Sequence, residues 1–497
     1  MRENEEEHLN PTEEITLEVV KERAVKGVVV LTGRTFFLSV ISLVATAFLT
    51  VFLNPSDFGI FWIVSAVVNF LSYFSDVGLA AALIQKKETP SKEDLHTTFT
   101  VQQILVVTVL VVLYLASPFL AKYYGLSHAG KLLLYALGAS LLMSSLKTIP
   151  SALMERKLEF NKLVIPQILE NLVYNVIAVI LAWKGLGVTS FTIAVLGRGA
   201  VGLIAIYILN PWLPGLAFSR ASLKKLLSYG LPYQANTLLA TLKDDGMTAF
   251  LGGILGPAGI GYLGWAQKWA YTPLRFFMDH ILKVTFPAFA RMQDEKEQLR
   301  RSVTRSIFFI CLLVFPTVIG FVFCAPILVN IIPKYGKWAP ALLPLYLISF
   351  NSIMAATTTQ LTNLLNSIGK IKVTFGLMVM WTVLSWVFLP FLALKYGVNG
   401  AALGYSLVGV SSVVAIYVAK RYVNFSLIES VLRPLSAALS MGIVLFILKN
   451  FLASSFLSLG ILVFAGIVVY VISIYFIVGV SIMTDVKTVF KIFRNED

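Results

Sequence analysis

Charged residues are scarce in this sequence: 13% of its 497 residues are charged, while 57% are hydrophobic. Soluble domains of ordinary composition are about 25% charged and about 45–50% apolar. A chain this long and this poor in charge has too few polar side chains to cover a surface that faces water. Helices that face lipid need apolar side chains all round, so the composition indicates an integral membrane protein.

Cysteine and histidine are also scarce, with two Cys and four His in the chain. Cys311 and Cys324 fall inside one apolar segment, which is a poor arrangement for a disulfide framework. The sequence contains no P-loop, no H-E-x-x-H motif and no soluble nucleotide-binding domain. We therefore predict that the chain is not an enzyme, binds no metal and uses no cofactor.

The beginning of the chain lacks the positive start and the short apolar run of a secretory signal. It is acidic instead, and Asn10-Pro11 followed by Glu13 is typical of a helix start. We predict that residues 1–23 form an acidic cytoplasmic tail.

Long apolar runs, by contrast, are abundant. About 20 mostly apolar residues cross the hydrocarbon core as a helix. This length predicts an all-α integral membrane fold of about fourteen transmembrane helices. The predicted helices are 24–52, 58–84, 98–120, 131–155, 162–184, 188–210, 223–250, 258–286, 302–328, 339–365, 370–394, 398–420, 430–450 and 456–482.

The basic residues are distributed unevenly between the two sets of loops. An even number of helices places both termini on one side, and Lys and Arg concentrate on the cytoplasmic side. If the termini are cytoplasmic, the inner loops hold nineteen Lys and Arg and the outer loops hold seven. This predicts a multi-pass protein of the plasma (inner) membrane. It also explains most of the formal charge of +14 without a nucleic-acid partner.

Two short segments share the pattern L-x-P-x-x-x-G. They are Leu53–Gly59 and Leu255–Gly261, six predicted helices apart. A pattern this short can also arise by chance, but repeated lobes around a substrate site are a known transporter plan. We predict two pseudo-symmetric six-helix lobes around a central cavity, plus a C-terminal helix pair. The boundaries are 24–210 for the N-lobe, 211–420 for the C-lobe, and 421–497 for the last pair with a cytoplasmic tail.

Charges inside the predicted helices mark the candidate site. Each costs roughly 2.5–3.5 kcal/mol on insertion scales, so such residues usually face a cavity or a partner. Basic residues outnumber acidic ones once local pairs cancel, which favours an anionic substrate. An Arg in mid-helix stays charged and binds phosphate in a bidentate fashion. The predicted substrate-binding residues are Arg34, Lys147, Arg198, Lys243, Trp265, Lys268 and Arg275.

The eighth predicted helix carries a charged stripe. Lys268, Arg275, Asp279 and Lys283 fall within an arc of about 80°, and Trp265 lies on the same side. Because Arg275, Asp279 and Lys283 are successively four residues apart, this part of the stripe is predicted to neutralise itself. Lys268 and Arg275 lie deeper and are expected to line the cavity.

The carboxylates within the predicted helices have two candidate roles. A carboxylate in a low dielectric can hold a proton or Na⁺, and it can equally pair with a base nearby. We predict ion coupling or charge pairing for Asp76, Glu170, Asp244 and Asp245. The residues do not choose between a H⁺ gradient, a Na⁺ gradient and the gradient of the substrate itself.

Uncharged polar side chains recur at helical spacing. The fifth predicted helix, for example, has Gln167, Asn171 and Asn175 on one side together with Glu170. Packing between helices is the alternative for any single one of them. Several such stripes together favour a cavity with hydroxyl and amide groups suited to sugars.

Five ordered motifs carry a resemblance to a known family. They are Pro55 with Phe58-Gly59, Asp76-Val77-Gly78-Leu79 running to Gln85, Ala152–Phe160, Leu255–Tyr262 and Phe286–Arg291. Over residues 25–425 the chain resembles Wzx-type O-antigen and exopolysaccharide flippases. These form the polysaccharide transporter branch of the superfamily that also holds multidrug (MATE) exporters and the lipid II flippase.

The resemblance implies a function and its partners. The substrate would be an undecaprenyl-pyrophosphate-linked oligosaccharide, moved from the cytoplasmic to the outer leaflet by alternating access. Its headgroup would occupy the cavity while its tail stays among the membrane lipids. Polysaccharide-assembly proteins stay open as further partners. The resemblance brings no fixed set of site residues.

Three other functions stay open at this point. A MATE-like multidrug or cation antiporter would bind cations through carboxylates, and the basic excess argues against it. A membrane-embedded glycosyltransferase or polymerase usually has a large outer loop, whereas every outer loop here is short. A scaffold for polysaccharide assembly would leave the buried charges without a role.

Overall fold

The computed structural model describes residues 17–86 and 88–478. Sixteen α-helices occupy this part of the chain. The predicted tail, residues 1–23, lies mostly outside the described residues. Helices α1 to α8 are Leu17–Phe52, Pro55–Ser72, Leu79–Gln85, Lys92–Tyr123, His128–Leu146, Thr148–Arg156, Phe160–Trp183 and Thr189–Leu209. Helices α9 to α16 are Arg220–Thr241, Met247–Arg291, Lys296–Ile331, Leu342–Ser367, Ile371–Val410, Ser412–Lys420, Arg433–Phe451 and Phe456–Val478.

Twelve helical stretches among the described residues are long and apolar enough to cross a membrane. The predicted all-α membrane fold is therefore confirmed, while the count of fourteen is not. The seventh and eighth predicted helices share one stretch, Leu238–Asp279. The eleventh and twelfth share another, Ile371–Lys420.

Two glycines interrupt these long stretches. Gly256 has φ 66° and ψ 178°, and Gly397 has φ 60° and ψ −138°. Glycine reaches such positive φ values without the steric cost that a Cβ brings. Beyond Gly397 the chain turns back on itself, so that a Cβ atom on Gly400 would overlap the carbonyl oxygen of Leu392. In a straight helix, residues eight positions apart lie about 12 Å apart along the axis. Leu392 and Gly400 therefore do not belong to one straight helix.

The fourth predicted helix is also divided. Lys147 lies between the last residue of α5 and the first residue of α6, so residues 131–155 do not form one continuous helix. The end of α6 then closes the end of α3. The Arg156 guanidinium donates to the carbonyl oxygens of Leu83 (3.0 Å), Ile84 (3.2 Å) and Glu88 (3.0 Å), and also to that of Lys86. The carbonyls of Leu83 and Ile84 lie in the last turn of α3, where helix carbonyls lack partners within the helix, and those of Lys86 and Glu88 follow its end.

The chain separates into two compact units, one ending at Gly261 and one beginning at Tyr262. In the second unit, α11 buries a stripe at helical spacing, with Val303, Ile307, Ile310 and Val314 at most 1% exposed. The stripe belongs to an apolar core to which α12 also contributes. The predicted domain boundaries at 24–210, 211–420 and 421–497 stay predictions.

The two L-x-P-x-x-x-G segments contact each other inside the first unit. A Cβ atom on Gly59 would overlap the carbonyl oxygen of Pro257, and one on Gly261 would overlap that of Pro55. Each glycine thus receives the proline carbonyl of the other segment. The contact is reciprocal, as expected of two segments related by an approximate twofold axis.

Candidate functional site

One face of α7 gathers charged side chains from three neighbouring helices. Gln167, Glu170 and Asn171 occupy this face, because residues three and four apart lie side by side on a helix. Helix α1 lies along α7 on one side and α8 on another. The residue between α5 and α6, Lys147, also reaches the face.

Glu170 lies between two bases. Its Oε1 pairs with Nζ of Lys147, and its Oε2 is 3.6 Å from Nε of Arg198. The Lys147 and Glu170 side chains are 15% and 13% exposed, whereas the Arg198 side chain is 55% exposed. The inner pair is therefore largely buried, whereas more than half of the Arg198 side chain is exposed.

Arg34 reaches the same face of α7 one turn earlier. Its Nη1 donates to Oε1 of Gln167, and its Nε is buried without a hydrogen-bond partner. Arg34, Lys147, Glu170 and Arg198 are called the basic cluster below. Three bases and one carboxylate leave it a formal net charge of +2 (3 − 1).

Neutral polar groups continue the face along α7. Nδ2 of Asn171 donates to Oγ of Ser42 on α1 at 3.3 Å, and Nδ2 of Asn175 donates to the Asn171 carbonyl oxygen at 2.8 Å. The first bond ties α1 to α7 beside the basic cluster, and the second lies within α7. The amides and the hydroxyl are groups of the kind that hydrogen-bond sugars.

Asp76 lies away from the basic cluster, in the turn between α2 and α3. Its Oδ1 accepts a hydrogen bond from Nε2 of Gln102 on α4 at 3.2 Å. The same nitrogen donates to Oγ1 of Thr148, the first residue of α6, at 3.0 Å. Sequence reasoning singled out Asp76 but missed Gln102 and Thr148. The signal available for Gln102 was an amide inside a long apolar run.

Lys243, Asp244 and Asp245 form part of a π-helical turn, Leu242–Gly246. Lys243 pairs with its neighbour Asp244, and Nδ2 of Asn69 lies 3.5 Å from Oδ1 of Asp245. Single π turns in α-helices are frequent at functional sites. The ordinary α-helical period, on which the prediction rested, gives no sign of this turn.

The remaining predicted residues lie in the second unit. Trp265 is 2% exposed and stacks on Trp338 with ring centroids 5.6 Å apart. Lys268 and Arg275 are exposed. The predicted neutralisation within the stripe is not seen, because none of the described ion pairs joins Arg275, Asp279 and Lys283. The substrate-binding roles of Trp265, Lys268 and Arg275 stay predictions.

No group of three or more His, Cys, Asp or Glu side chains among the described residues is arranged to hold a metal ion. The site is instead one of separate charges on membrane helices, held by single hydrogen bonds and ion pairs.

Comparison with known proteins identifies the family. The profile of the family described as "Polysaccharide biosynthesis protein" matches residues 48–342, which is more than half of the chain. The chain therefore belongs to the polysaccharide biosynthesis protein family. The predicted resemblance to polysaccharide transporters is confirmed at this level.

Two curated relatives are similar along much of the chain. The lipopolysaccharide biosynthesis protein WzxC of Escherichia coli K12 is 25% identical over 412 residues, covering 80% of this chain and 81% of WzxC. The succinoglycan biosynthesis transport protein ExoT of Rhizobium meliloti 1021 is 23% identical over 300 residues, covering 59% of this chain and 56% of ExoT.

Two solved structures share the fold. The lipid II flippase MurJ, in an inward closed conformation, superposes with a TM-score of 0.74 at 14% identity, covering 90% of this chain and 98% of MurJ. A multidrug MATE transporter, facing inward, gives 0.59 at 17% identity, covering 80% and 98%. ExoT is named a transport protein, MurJ a flippase and MATE a transporter. These names agree with the prediction that the chain is not an enzyme.

Proposed function

We propose that this protein flips an undecaprenyl-pyrophosphate-linked oligosaccharide from the cytoplasmic to the outer leaflet by alternating access. The basic cluster would bind the anionic headgroup in a central cavity, and the tail would remain in lipid. The observation that carries the proposal is the net charge of +2 gathered on one face of α7. The relatives that are named for lipopolysaccharide and succinoglycan biosynthesis support the substrate class.

The arrangement of the cluster suits a pyrophosphate. Glu170 offsets one base, so a headgroup that enters meets a positive excess rather than a neutral pair. Arg198 is held through Nε alone, which leaves its two Nη groups to approach phosphate oxygens as a fork. Arg34 offers a second guanidinium near the Gln167 end of the same face.

The test is flipping of a fluorescent undecaprenyl-pyrophosphate oligosaccharide in proteoliposomes. We expect Arg34→Gln and Arg198→Gln each to lower the flipping rate at least tenfold, since each removes a charge-assisted contact worth about 1.5–3 kcal/mol. Arg198→Lys should lose less, because it keeps the charge without the fork.

Arg301→Gln is the matched control. Arg301 is an exposed base on α11 whose ion pair among the described residues is with Glu297, and its loss should leave flipping unchanged. Normal flipping by both Arg34→Gln and Arg198→Gln would refute the site. Absence of flipping by the wild type with several such glycans would refute the function, and competition by organic cations would favour a MATE-like antiporter.

A further inference from the structure

A break in the membrane helix that carries Asp76 leaves this carboxylate without a basic partner. Helix α2 ends at Ser72, a 3₁₀ turn covers Tyr73–Ser75, and Val77 and Gly78 follow with φ 50° and 74°. None of the described ion pairs includes Asp76. Broken membrane helices commonly form the sites of coupling ions, and carboxylates within membrane segments mark ion pathways and proton relays.

Gln102 supplies an independent sign that this site binds a ligand. It is 4% exposed, its amide lies at the Asp76 carboxylate, and its Oε1 is buried with no hydrogen-bond partner. Both amide hydrogens are used, one toward Asp76 and one toward Thr148. An unpaired buried acceptor is costly, so a hydrogen-bond donor or a cation that reached Oε1 would stabilise the site.

A monovalent cation can bind the Asp76 carboxylate and the Gln102 amide oxygen together. If the Gln102 amide turns over, its Oε1 faces Asp76, its Nε2 gives up both hydrogen bonds, and two oxygens then point at each other. That arrangement is stable only with a proton shared between them or with Na⁺ bound to both. Thr148 Oγ1 is a third oxygen within reach.

The charged groups around this turn are engaged elsewhere. Lys86 pairs with Asp94 at 2.6 Å, Arg156 donates to carbonyls at the end of α3, and Lys147 pairs with Glu170. Tyr73 donates to the Gln234 carbonyl oxygen on α9. The other ionisable side chains that the structure describes on the adjoining segments are Asp57, Glu88, Lys92, Glu93, His96, Tyr114, Lys122, Tyr123, Glu155, Arg220, Lys224 and Lys225.

We propose that Asp76, Gln102 and Thr148 bind one monovalent cation, a proton or Na⁺, whose gradient drives flipping. The coupling role rests on the proposed function, while the cation site itself does not. The link to the basic cluster is covalent: Thr148 follows Lys147 directly, at the junction between α5 and α6. A cation that repositions Thr148 therefore acts on the Lys147–Glu170 pair one residue away.

The alternative is that Asp76 only caps α3, since its Oδ1 lies 3.4 Å from the backbone nitrogen of Ala80. Asp76→Asn separates the two roles, because asparagine caps a helix as well as aspartate does but carries no charge. Asp279→Asn is the control, as Asp279 is an exposed acid on another membrane helix.

The experiment measures thermal unfolding of the purified full chain in detergent, without any oligosaccharide. One arm replaces KCl by NaCl at constant ionic strength and pH, and the other varies pH from 5 to 8 without Na⁺. We expect the wild type and Asp279→Asn to be stabilised equally in one arm and Asp76→Asn to lack that stabilisation. A response to NaCl identifies Na⁺, and a response to low pH alone identifies the proton.

Gln102→Met provides a second variant of similar size. It removes the amide oxygen and should shift the midpoint for the cation by about tenfold, or by about one pH unit. The proposal is overturned if the wild type responds in neither arm, if Asp76→Asn responds as the wild type does, or if Gln102→Met leaves the midpoint unchanged. If the wild type binds the cation but does not flip the oligosaccharide, the cation site stands and the proposed function does not.

Discussion

Glu170 pairs with Lys147 and Arg198, two bases from different parts of the sequence. At the scale of single residues, this pairing is what the sequence could not predict. Composition and helical spacing identified Lys147, Glu170 and Arg198 as charges inside the membrane. They could not pair them, because pairing depends on how each helix is rotated about its axis. The same limit hid the bond between Arg34 and Gln167.

Breaking the inner pair should destabilise the protein. Glu170→Gln leaves the Lys147 ammonium largely buried without its partner, so we expect a loss of about 3 kcal/mol in the free energy of unfolding. Equilibrium unfolding in mixed micelles measures this. The double variant Lys147→Met with Glu170→Gln should lose less than the single one, because no buried unpaired charge remains and Arg198 is more than half exposed. Equal losses in the two variants would mean that the unpaired Lys147 ammonium is not what destabilises Glu170→Gln.

At the scale of elements, run length located most membrane helices, and local backbone features divided them. Charged residues mark Lys147 and Leu242–Gly246 in the sequence, but hydropathy does not show that the helix divides at the first and forms a π turn at the second. The cap that Arg156 places on α3 joins two of the recognised motifs. Its partners are backbone carbonyls, which no side-chain pattern encodes.

The reciprocal proline–glycine contact should be intolerant of a single methyl group. Gly59→Ala and Gly261→Ala each place a Cβ on a backbone carbonyl, and we expect each to lower the free energy of unfolding by about 2 kcal/mol. Thermal unfolding in detergent is the measurement. Gly376→Ala is the control, since nothing lies within 4 Å of its added Cβ and alanine favours a helix. Unchanged stability of Gly59→Ala would contradict the close approach.

At the scale of the whole molecule, the sequence established the class correctly because lipid imposes a simple rule on composition. Twelve apolar stretches and the family match confirm a multi-pass membrane protein. Orientation rests on the uneven distribution of Lys and Arg alone, and it stays a prediction.

Cysteine labelling tests that orientation. Lys184→Cys should react with a membrane-impermeant maleimide in intact cells, whereas Lys296→Cys should react only after the membrane is opened. Both positions are exposed, and the native Cys311 and Cys324 are buried, so background labelling should be low. The opposite pattern would reverse the orientation and place both termini outside.

The reciprocal contact also constrains how this sequence can change over evolutionary time. Gly59 and Gly261 are about two hundred residues apart in the chain, yet each is kept small by the proline carbonyl of the other segment. A larger residue at one position is tolerable only if the opposing backbone has moved, which alters the space at the second position too. Gly59 and Gly261 therefore cannot change independently, and among relatives they should be lost or retained together.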